Sequence, residues 1–173
     1  DTLERMPSSV AEDHRVGRLR SDEAMTLYGV ILDERGKLDL EQTQATRLDL
    51  RRERLATARP PRNRPTRPAD RDQAIATSEK DRNVVRVLEG VSIIGSGDTR
   101  HVACAGCANR LTDGPNGYRA GCAELDIPLE AISPDFVSPV HEIGEALVFR
   151  RFLCPGCGRV LDGQICRPDD VPF

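Results

Sequence analysis

Two short cysteine motifs combine residue type and spacing that fit a defined chemistry. Cys104 and Cys107 lie in His-Val-Ala-Cys-Ala-Gly-Cys, and Cys154 and Cys157 lie in Cys-Pro-Gly-Cys-Gly. Each pair can fold as a tight knuckle that directs both thiols to one point, with backbone N–H groups near the sulfurs. Two such knuckles supply four thiolates, the ligand set of a tetrahedral zinc site. We therefore predict zinc bound by Cys104, Cys107, Cys154 and Cys157.

Two other cysteines and a histidine leave the ligand set open. Cys122 and Cys166 each lack a second cysteine two residues away. Buried free cysteine is common, so a buried apolar thiol is the simpler interpretation, although either could replace one of the four. His101 could orient or replace a ligand, but a solvent-facing strand histidine is the more ordinary interpretation.

The predicted zinc is structural, because four thiolates leave no open coordination position. Bound metal would contribute folding free energy. Other catalytic patterns are incomplete: His141-Glu142 lacks the second histidine of HExxH, and residues 95–98 lack both the full GxGxxG pattern and the Lys-Ser/Thr end of a phosphate loop. We predict no catalytic and no cofactor-binding residue in this chain.

Composition indicates a chain that relies on a metal, a partner or both. Its 173 residues include no Trp, four Phe and two Tyr, although aromatic side chains normally supply much of a core. The net charge of −3 gives no overall attraction to nucleic acid or to an anionic membrane. With no apolar run of about 20 residues and no secretory segment, we expect a cytoplasmic protein whose cysteines bind metal. A dithiol redox protein is the weaker alternative.

The predicted fold class is α+β, in three regions. Residues 1–58 form a strand and helix segment that docks on a partner, residues 59–82 an extended linker, and residues 83–173 a small β-rich, zinc-ribbon-like domain. In the first region a short helix opens at Ser21, a strand covers 28–32, and Asp39 caps a helix over 40–58. The narrow apolar stripe of that helix suits docking; it comprises Ala45, Leu48 and Leu55.

Strands are predicted around both knuckles, over residues 84–88, 91–94, 146–149 and 159–161. The 46 residues between Cys107 and Cys154 exceed the roughly 15 to 20 of a compact ribbon, so we expect an insertion packed beside it. The Asp169-Asp170 pair near the end is predicted to be a solvated tail.

The linker is rich in arginine and proline, which favours an extended chain. An arm that binds nucleic acid is one interpretation of these arginines. It is weakened by the lack of aromatic residues for base stacking and by four nearby carboxylates at Asp70, Asp72, Glu79 and Asp81. A tether that lies on an acidic protein surface is preferred.

Two stretches resemble one group of enzymes. FRRFLCPGCGRVLDGQI resembles the CPxCGxxLD knuckle of the small zinc-containing subunit of acetone and acetophenone carboxylases, with matches at Cys154, Cys157, Gly158, Leu161 and Asp162. LYGVILDERGKLDLEQTQATRLDLRRERL resembles the C-terminal segment of hydantoinase B-type subunits, which form large subunits of the same carboxylases. Its matches are Tyr28, Gly29, Val30, Leu32, Asp33, Gly36, Asp39 and Thr46, and less closely Leu50 and Arg51.

The resemblance implies a subunit of an ATP-dependent ligase that joins a ketone to bicarbonate and yields a β-keto acid. ATP and Mg²⁺ or Mn²⁺ would bind only to hydantoinase A- and B-type partners, because this chain has neither a phosphate loop nor an acidic metal cluster. The chain itself would be a non-catalytic, zinc-containing scaffold in a cytoplasmic hetero-oligomer, without nucleic acid or membrane. The alternative is a zinc-ribbon adaptor that binds nucleic acid through its arginine-rich linker.

Overall fold

The computed structural model describes residues 1–65, 84–114, 117–132 and 144–171, and the chain divides into two compact units. The first unit is Asp1–Arg54 and the second is Leu55–Phe173. As predicted from the sequence, the described residues combine helices with antiparallel sheets in an α+β fold. No helix within these described ranges is long and apolar enough to cross a membrane.

The first unit contains helices and a minimal hairpin. Its elements are a 3-10 helix at Thr2–Glu4, α1 at Pro7–Arg15, α2 at Ser21–Tyr28, β1 at Ile31–Leu32, β2 at Leu38–Asp39 and α3 at Leu40–Thr57, which continues past the unit boundary. The predicted strand over 28–32 is too long. Tyr28 ends α2, and Gly29 follows in the left-handed conformation at φ 61°, which terminates the helix and leaves two residues for β1.

The helix predicted over residues 40–58 forms, and its predicted cap is present. The N–H of Gln42 donates to Asp39 Oδ1 at 2.9 Å, which satisfies a backbone donor that the first turn leaves free. Thr43 is fully buried and its Oγ1 accepts the N–H of Ile31 at 3.0 Å. The small core beside this helix consists of Val10, Ala24 and Val30, with Leu19, Tyr28, Leu32 and Leu38 packed against it.

Arginines attach α3 to the rest of its unit. Arg47 donates to the carbonyl of Tyr28 at 2.9 Å, Arg51 pairs with Glu4, and Arg54 pairs with Asp1 at 3.0 Å. These arginines share a helix face because they are three or four residues apart. Leu48 of the predicted stripe stays half exposed, at 51%.

The second unit contains two antiparallel sheets. The four-stranded sheet has the order β3-β4-β5-β6, and the three-stranded sheet has the order β7-β8-β9. The strands are β3 at Val84–Leu88, β4 at Val91–Ile94, β5 at His101–Cys104, β6 at Arg110–Thr112, β7 at Ala123–Pro128, β8 at Val148–Leu153 and β9 at Val160–Cys166. The predicted strands at 84–88 and 91–94 are present, whereas the pair around the second knuckle is longer than predicted.

The segment between the knuckles forms part of both sheets. β6 pairs with β5, and β7 pairs with β8 from Ala123 opposite Leu153 to Pro128 opposite Val148. One core cluster joins the two sheets; it consists of Val91, Val102, Cys104, Leu111, Cys122, Phe152, Cys154 and Leu161. Two of the predicted metal ligands therefore belong to the hydrophobic core.

Candidate metal centre

The structure brings the four cysteines of the two knuckles together. Their Sγ atoms all lie within 4.8 Å of one another, with 3.8 Å from Cys104 to Cys157 and 3.5 Å from Cys107 to Cys154. A tetrahedral site with Zn–S bonds of about 2.3 Å requires sulfurs about 3.8 Å apart. The spacing and the all-sulfur donor set therefore fit zinc, and the cluster is close enough to hold a metal ion.

The first knuckle connects β5 to β6. The N–H of Cys104 donates to the carbonyl of Asn109 at 2.9 Å, and the N–H of Ala108 donates to the carbonyl of Cys104 at 2.8 Å. Ala108 has φ 55°, which is unfavourable for a residue with a side chain. The turn is nevertheless closed by these two bonds, and they direct both thiols to the same side.

The second knuckle connects β8 to β9 by the same pattern. The N–H of Cys154 donates to the carbonyl of Arg159 at 2.8 Å, and the N–H of Gly158 donates to the carbonyl of Cys154 at 2.8 Å. Gly158 has φ 70° and occupies the position that Ala108 has in the first knuckle. The two knuckles are thus equivalent residue by residue, as two halves of a ribbon-like centre require.

Burial differs among the four thiols, and their proximity couples their ionisation. Cys104 and Cys154 are buried, Cys157 is half-buried and Cys107 is exposed. Hydrogen bonding with Cys107 lowers the pKa of Cys104 well below its usual range, whereas hydrogen bonding with Cys104 raises the pKa of Cys154 far above it. Four sulfurs within 4.8 Å of one another repel when ionised, and a cation at their centre would stabilise all four as thiolates.

The three alternative ligands do not belong, within the described residues, to this group of four. Cys122 is buried, its Sγ donates to the carbonyl of Tyr118 at 3.4 Å, and burial raises its pKa to about 12. Cys166 is buried at the end of β9, and His101 Nδ1 lies 3.2 Å from the carbonyl oxygen of Thr99. The remaining candidate pair, His141 and Glu142, lies outside the described residues.

Residues that sequence reasoning missed hold the second knuckle in place. The hydroxyl of Tyr118 donates to Asp162 Oδ2 at 2.7 Å, and Arg119 Nε donates to the same oxygen at 2.8 Å. Burial alone would raise the pKa of Asp162, but these two donors lower it below its usual range. Asp162 thereby joins β9 to the 3-10 helix Tyr118–Gly121. The sequence signal that could have identified this residue was its place in the CPxCGxxLD stretch.

Two described arginines of the predicted linker, Arg59 and Arg62, bind carboxylates of their own unit. Arg59 forms an antiparallel bridge with Glu124 and donates to Asp126 at 2.8 Å, while Arg62 binds both oxygens of Glu124 at 2.8 and 3.2 Å. Glu124 is only 1% exposed, so its charge requires such donors. Residues 66–83 of the linker lie outside the described residues.

A fully buried arginine lies beside this carboxylate pair. Arg150 donates to Asp126 at 2.7 and 3.0 Å and to the carbonyls of Pro168 and Asp170 at 2.6 and 2.5 Å. Asp169 is exposed, as predicted for a solvated tail, but the backbone of Asp170 is bound. Burying a charged guanidinium is costly, and these hydrogen bonds to oxygen atoms offset that cost.

No protein-family model matches this chain, and a search of curated proteins found no match. The fold and the site define the chain only by class, as an α+β protein with two knuckles that converge on a four-cysteine centre. The functional argument therefore depends on the cysteine geometry and on the roles of individual residues.

Proposed function

We propose that the four cysteines hold one structural zinc ion. The observation that carries this proposal is the convergence of four sulfurs from two equivalent knuckles within 4.8 Å. A pair of independent redox dithiols does not require the two pairs to meet. Because four thiolates complete the coordination shell, the ion would stabilise the second unit and would not bind substrate.

We further propose that the chain is the small, non-catalytic subunit of an ATP-dependent ketone carboxylase of the acetone or acetophenone type. The residues that match the CPxCGxxLD stretch support this, because each has a defined place. Cys154 and Cys157 belong to the cluster, and Gly158 adopts a positive φ. Leu161 packs in the core and Asp162 binds Tyr118.

The resemblance of the first unit to hydantoinase B-type chains is supported in the same way. Gly29 and Gly36 adopt left-handed φ values of 61° and 74°, Val30 is fully buried, and Asp39 caps α3. Leu48, one of two exposed leucines of α3, would then face a large partner subunit. In this proposal hydantoinase A- and B-type partners carry ATP, Mg²⁺ or Mn²⁺ and the catalytic residues.

The nucleic-acid alternative receives less support from the described residues. Arg59 and Arg62, two of the arginines at the start of a phosphate-binding arm, are both paired with Glu124. Withdrawing them would leave this buried carboxylate with Arg150 at 3.6 Å as its remaining ion-pair partner among the described residues, which is unfavourable. A scaffold in a cytoplasmic hetero-oligomer, without nucleic acid or membrane, is therefore the function we propose.

Native purification through a tag on this chain tests the proposal. We expect hydantoinase A- and B-like subunits to co-purify, with about one zinc per copy of this chain. A Cys154→Ser, Cys157→Ser double variant should lose zinc, while Cys166→Ser serves as a matched control that keeps it. Purification of the chain alone, or with nucleic acid that dissociates steeply with salt, would contradict the carboxylase assignment.

A further inference from the structure

The residue two positions after the second cysteine has the same main-chain role in each knuckle. The carbonyl of Asn109 accepts the N–H of Cys104 at 2.9 Å. Arg159 does the same in the second knuckle, where its carbonyl accepts the N–H of Cys154 at 2.8 Å. These two residues therefore connect directly to the ligands.

The side chains of these two residues cross to the opposite knuckle. A Cβ placed on Gly106 would lie 2.6 Å from both Cζ and Nη1 of Arg159 and 3.0 Å from Nη2, so the guanidinium lies flat on that glycine. A Cβ placed on Gly156 would lie 2.9 Å from Cβ of Asn109. Each knuckle thus needs glycine at this position, because the other knuckle covers it.

The two crossing side chains differ in charge. Four thiolates around a divalent cation carry net negative charge, and two of the four ligands here are buried. Gly106, on which the guanidinium of Arg159 lies, stands between Cys104 and Cys107 in the first knuckle, so the positive charge lies against the turn that carries two of the four sulfurs. A fixed cation at this place offsets the charge of the thiolates, whereas the neutral amide of Asn109 does not.

We propose that Arg159 is the charge-compensating residue of the metal centre. Its guanidinium, stacked on Gly106, stabilises the zinc-bound thiolates, lowers their reactivity toward electrophiles and slows the release of zinc. This inference rests on the zinc part of the proposed function and is independent of the carboxylase part. Arg159 acts through the ligands and is a positioning residue.

Substitutions at position 159 distinguish the effect of the positive charge from the effect of a side chain that packs over Gly106. Arg159→Met keeps a long apolar side chain over Gly106 but removes the charge, whereas Arg159→Lys keeps the charge and an aliphatic stem but loses the planar guanidinium. In the zinc-loaded full chain we expect Arg159→Met to speed alkylation by iodoacetamide and zinc transfer to a chelator about tenfold, the size of one moderately screened charge interaction. Arg159→Lys should stay within about threefold of the parent protein.

Exchanging the two crossing residues gives a control that a purely structural role would fail. The double variant Asn109→Arg, Arg159→Asn moves the cation onto the opposite knuckle, above Gly156. It should restore slow zinc release relative to Arg159→Asn alone. In the cobalt-substituted proteins, the thiolate-to-Co²⁺ charge-transfer band should move to lower energy in Arg159→Met and return toward the parent position in the exchanged variant.

The outcomes distinguish this inference from the proposed function. If the parent chain binds no zinc, the proposed zinc site is wrong and the role of Arg159 is overturned with it. If the parent binds zinc but Arg159→Met releases it at the parent rate, the inference alone is overturned. Equal acceleration by Arg159→Met and Arg159→Lys would also overturn it, because cover rather than charge would then matter.

Discussion

The two knuckles follow the same main-chain path with unequal local support. The second has Gly158 at its positive-φ position and lies between strands of six and seven residues. The first has Ala108 at that position and lies between strands of four and three residues. Since both reach the same geometry, the second is encoded more strongly by local sequence, and the first depends more on its contacts with the second and, in our proposal, on the zinc ion.

Metal removal should reveal the difference between the two knuckles with the largest effect on stability. Structural zinc in small domains contributes an apparent binding free energy of about 10 to 16 kcal/mol, so a chelator should destabilise the second unit strongly. We expect backbone hydrogen exchange to rise first in the β5–β6 hairpin and less in β8–β9, because the latter keeps a longer ladder. Hydrogen exchange followed by mass spectrometry measures both hairpins in one sample.

The first unit provides the internal control for metal removal. Asp1–Arg54 has its own buried cluster of Val10, Ala24 and Val30, so its protection should change little on chelation. Equal loss of protection in the two hairpins would contradict the unequal support inferred for the knuckles. Loss of protection in the first unit would contradict its independence from the metal.

Alanine at Gly106 and Gly156, the glycines that the opposite knuckle covers, should lower stability by a smaller and unequal amount. In Gly156→Ala the new methyl group meets Cβ of Asn109, which is close to the backbone and cannot move away easily. In Gly106→Ala it meets the end of the flexible Arg159 side chain. We expect a loss of about 1 to 3 kcal/mol for the first substitution and a smaller loss for the second, measured by urea unfolding of the zinc-loaded protein.

The expected order of these glycine variants depends on which atom must move. A greater loss for Gly106→Ala than for Gly156→Ala would show that the guanidinium is held as rigidly as the asparagine. Gly114→Ala is a suitable control, since a Cβ there meets nothing within 4 Å.

Exchanging glycine and alanine at the positive-φ positions should change the free energy of unfolding in opposite directions in the two knuckles. Gly158→Ala should destabilise by about 1 to 2 kcal/mol, the cost of the left-handed conformation for a residue with a Cβ. Ala108→Gly relieves the same strain but makes the unfolded chain more flexible, so its gain should be below about 1 kcal/mol. Unfolding in urea with metal bound checks both, and destabilisation by Ala108→Gly would contradict the strain inferred at φ 55°.

How much was predictable from sequence differs between the two units. Cysteine spacing predicted which four cysteines of the second unit converge, because ligands of one metal must meet at one point, a constraint that links residues distant in the chain. The apolar pattern of α3 did not reveal how the helix packs in its own unit, because that face is made by Arg47, Arg51 and Arg54, whose partners include Glu4 and Asp1. Long-range ion pairs leave no periodic signal, so hydrophobic periodicity could not find them.

The crossing of Arg159 and Asn109 was equally hidden from sequence. Both residues follow a cysteine pair by two positions, yet their side chains contact the opposite knuckle, and only the assembled pair of hairpins places them there. The partner-docking role of the first unit, the hydantoinase-type partners and the carboxylase assignment remain predictions. The next experiment they call for is the co-purification described above.

The smallest effect that we expect is on the pH dependence of stability, and it concerns the contact made by the strand that leaves the second knuckle. β9 leaves the second knuckle bound through Asp162 to Tyr118, and burial, together with this carboxylate, raises the pKa of Tyr118 to about 12. The pKa of Tyr118 in the folded chain lies above the unfolded value of about 10. The stability that neutral Tyr118 contributes is therefore fully present below about pH 10 and is lost as the pH rises through the folded pKa. Tyr118→Phe should therefore flatten the decline in stability between about pH 10 and 12.

Ultraviolet titration of the tyrosines tests this last prediction directly. The chain has two tyrosines and no tryptophan, so Tyr118→Phe leaves Tyr28 as the remaining phenol and assigns the high-pH step by difference. Asp162→Asn should lower the Tyr118 pKa, because it replaces the negative charge that opposes phenolate formation. If the Tyr118 step stays at about 12 in Asp162→Asn, burial alone sets it, and the hydrogen bond to β9 contributes nothing that distinguishes the second knuckle from the first.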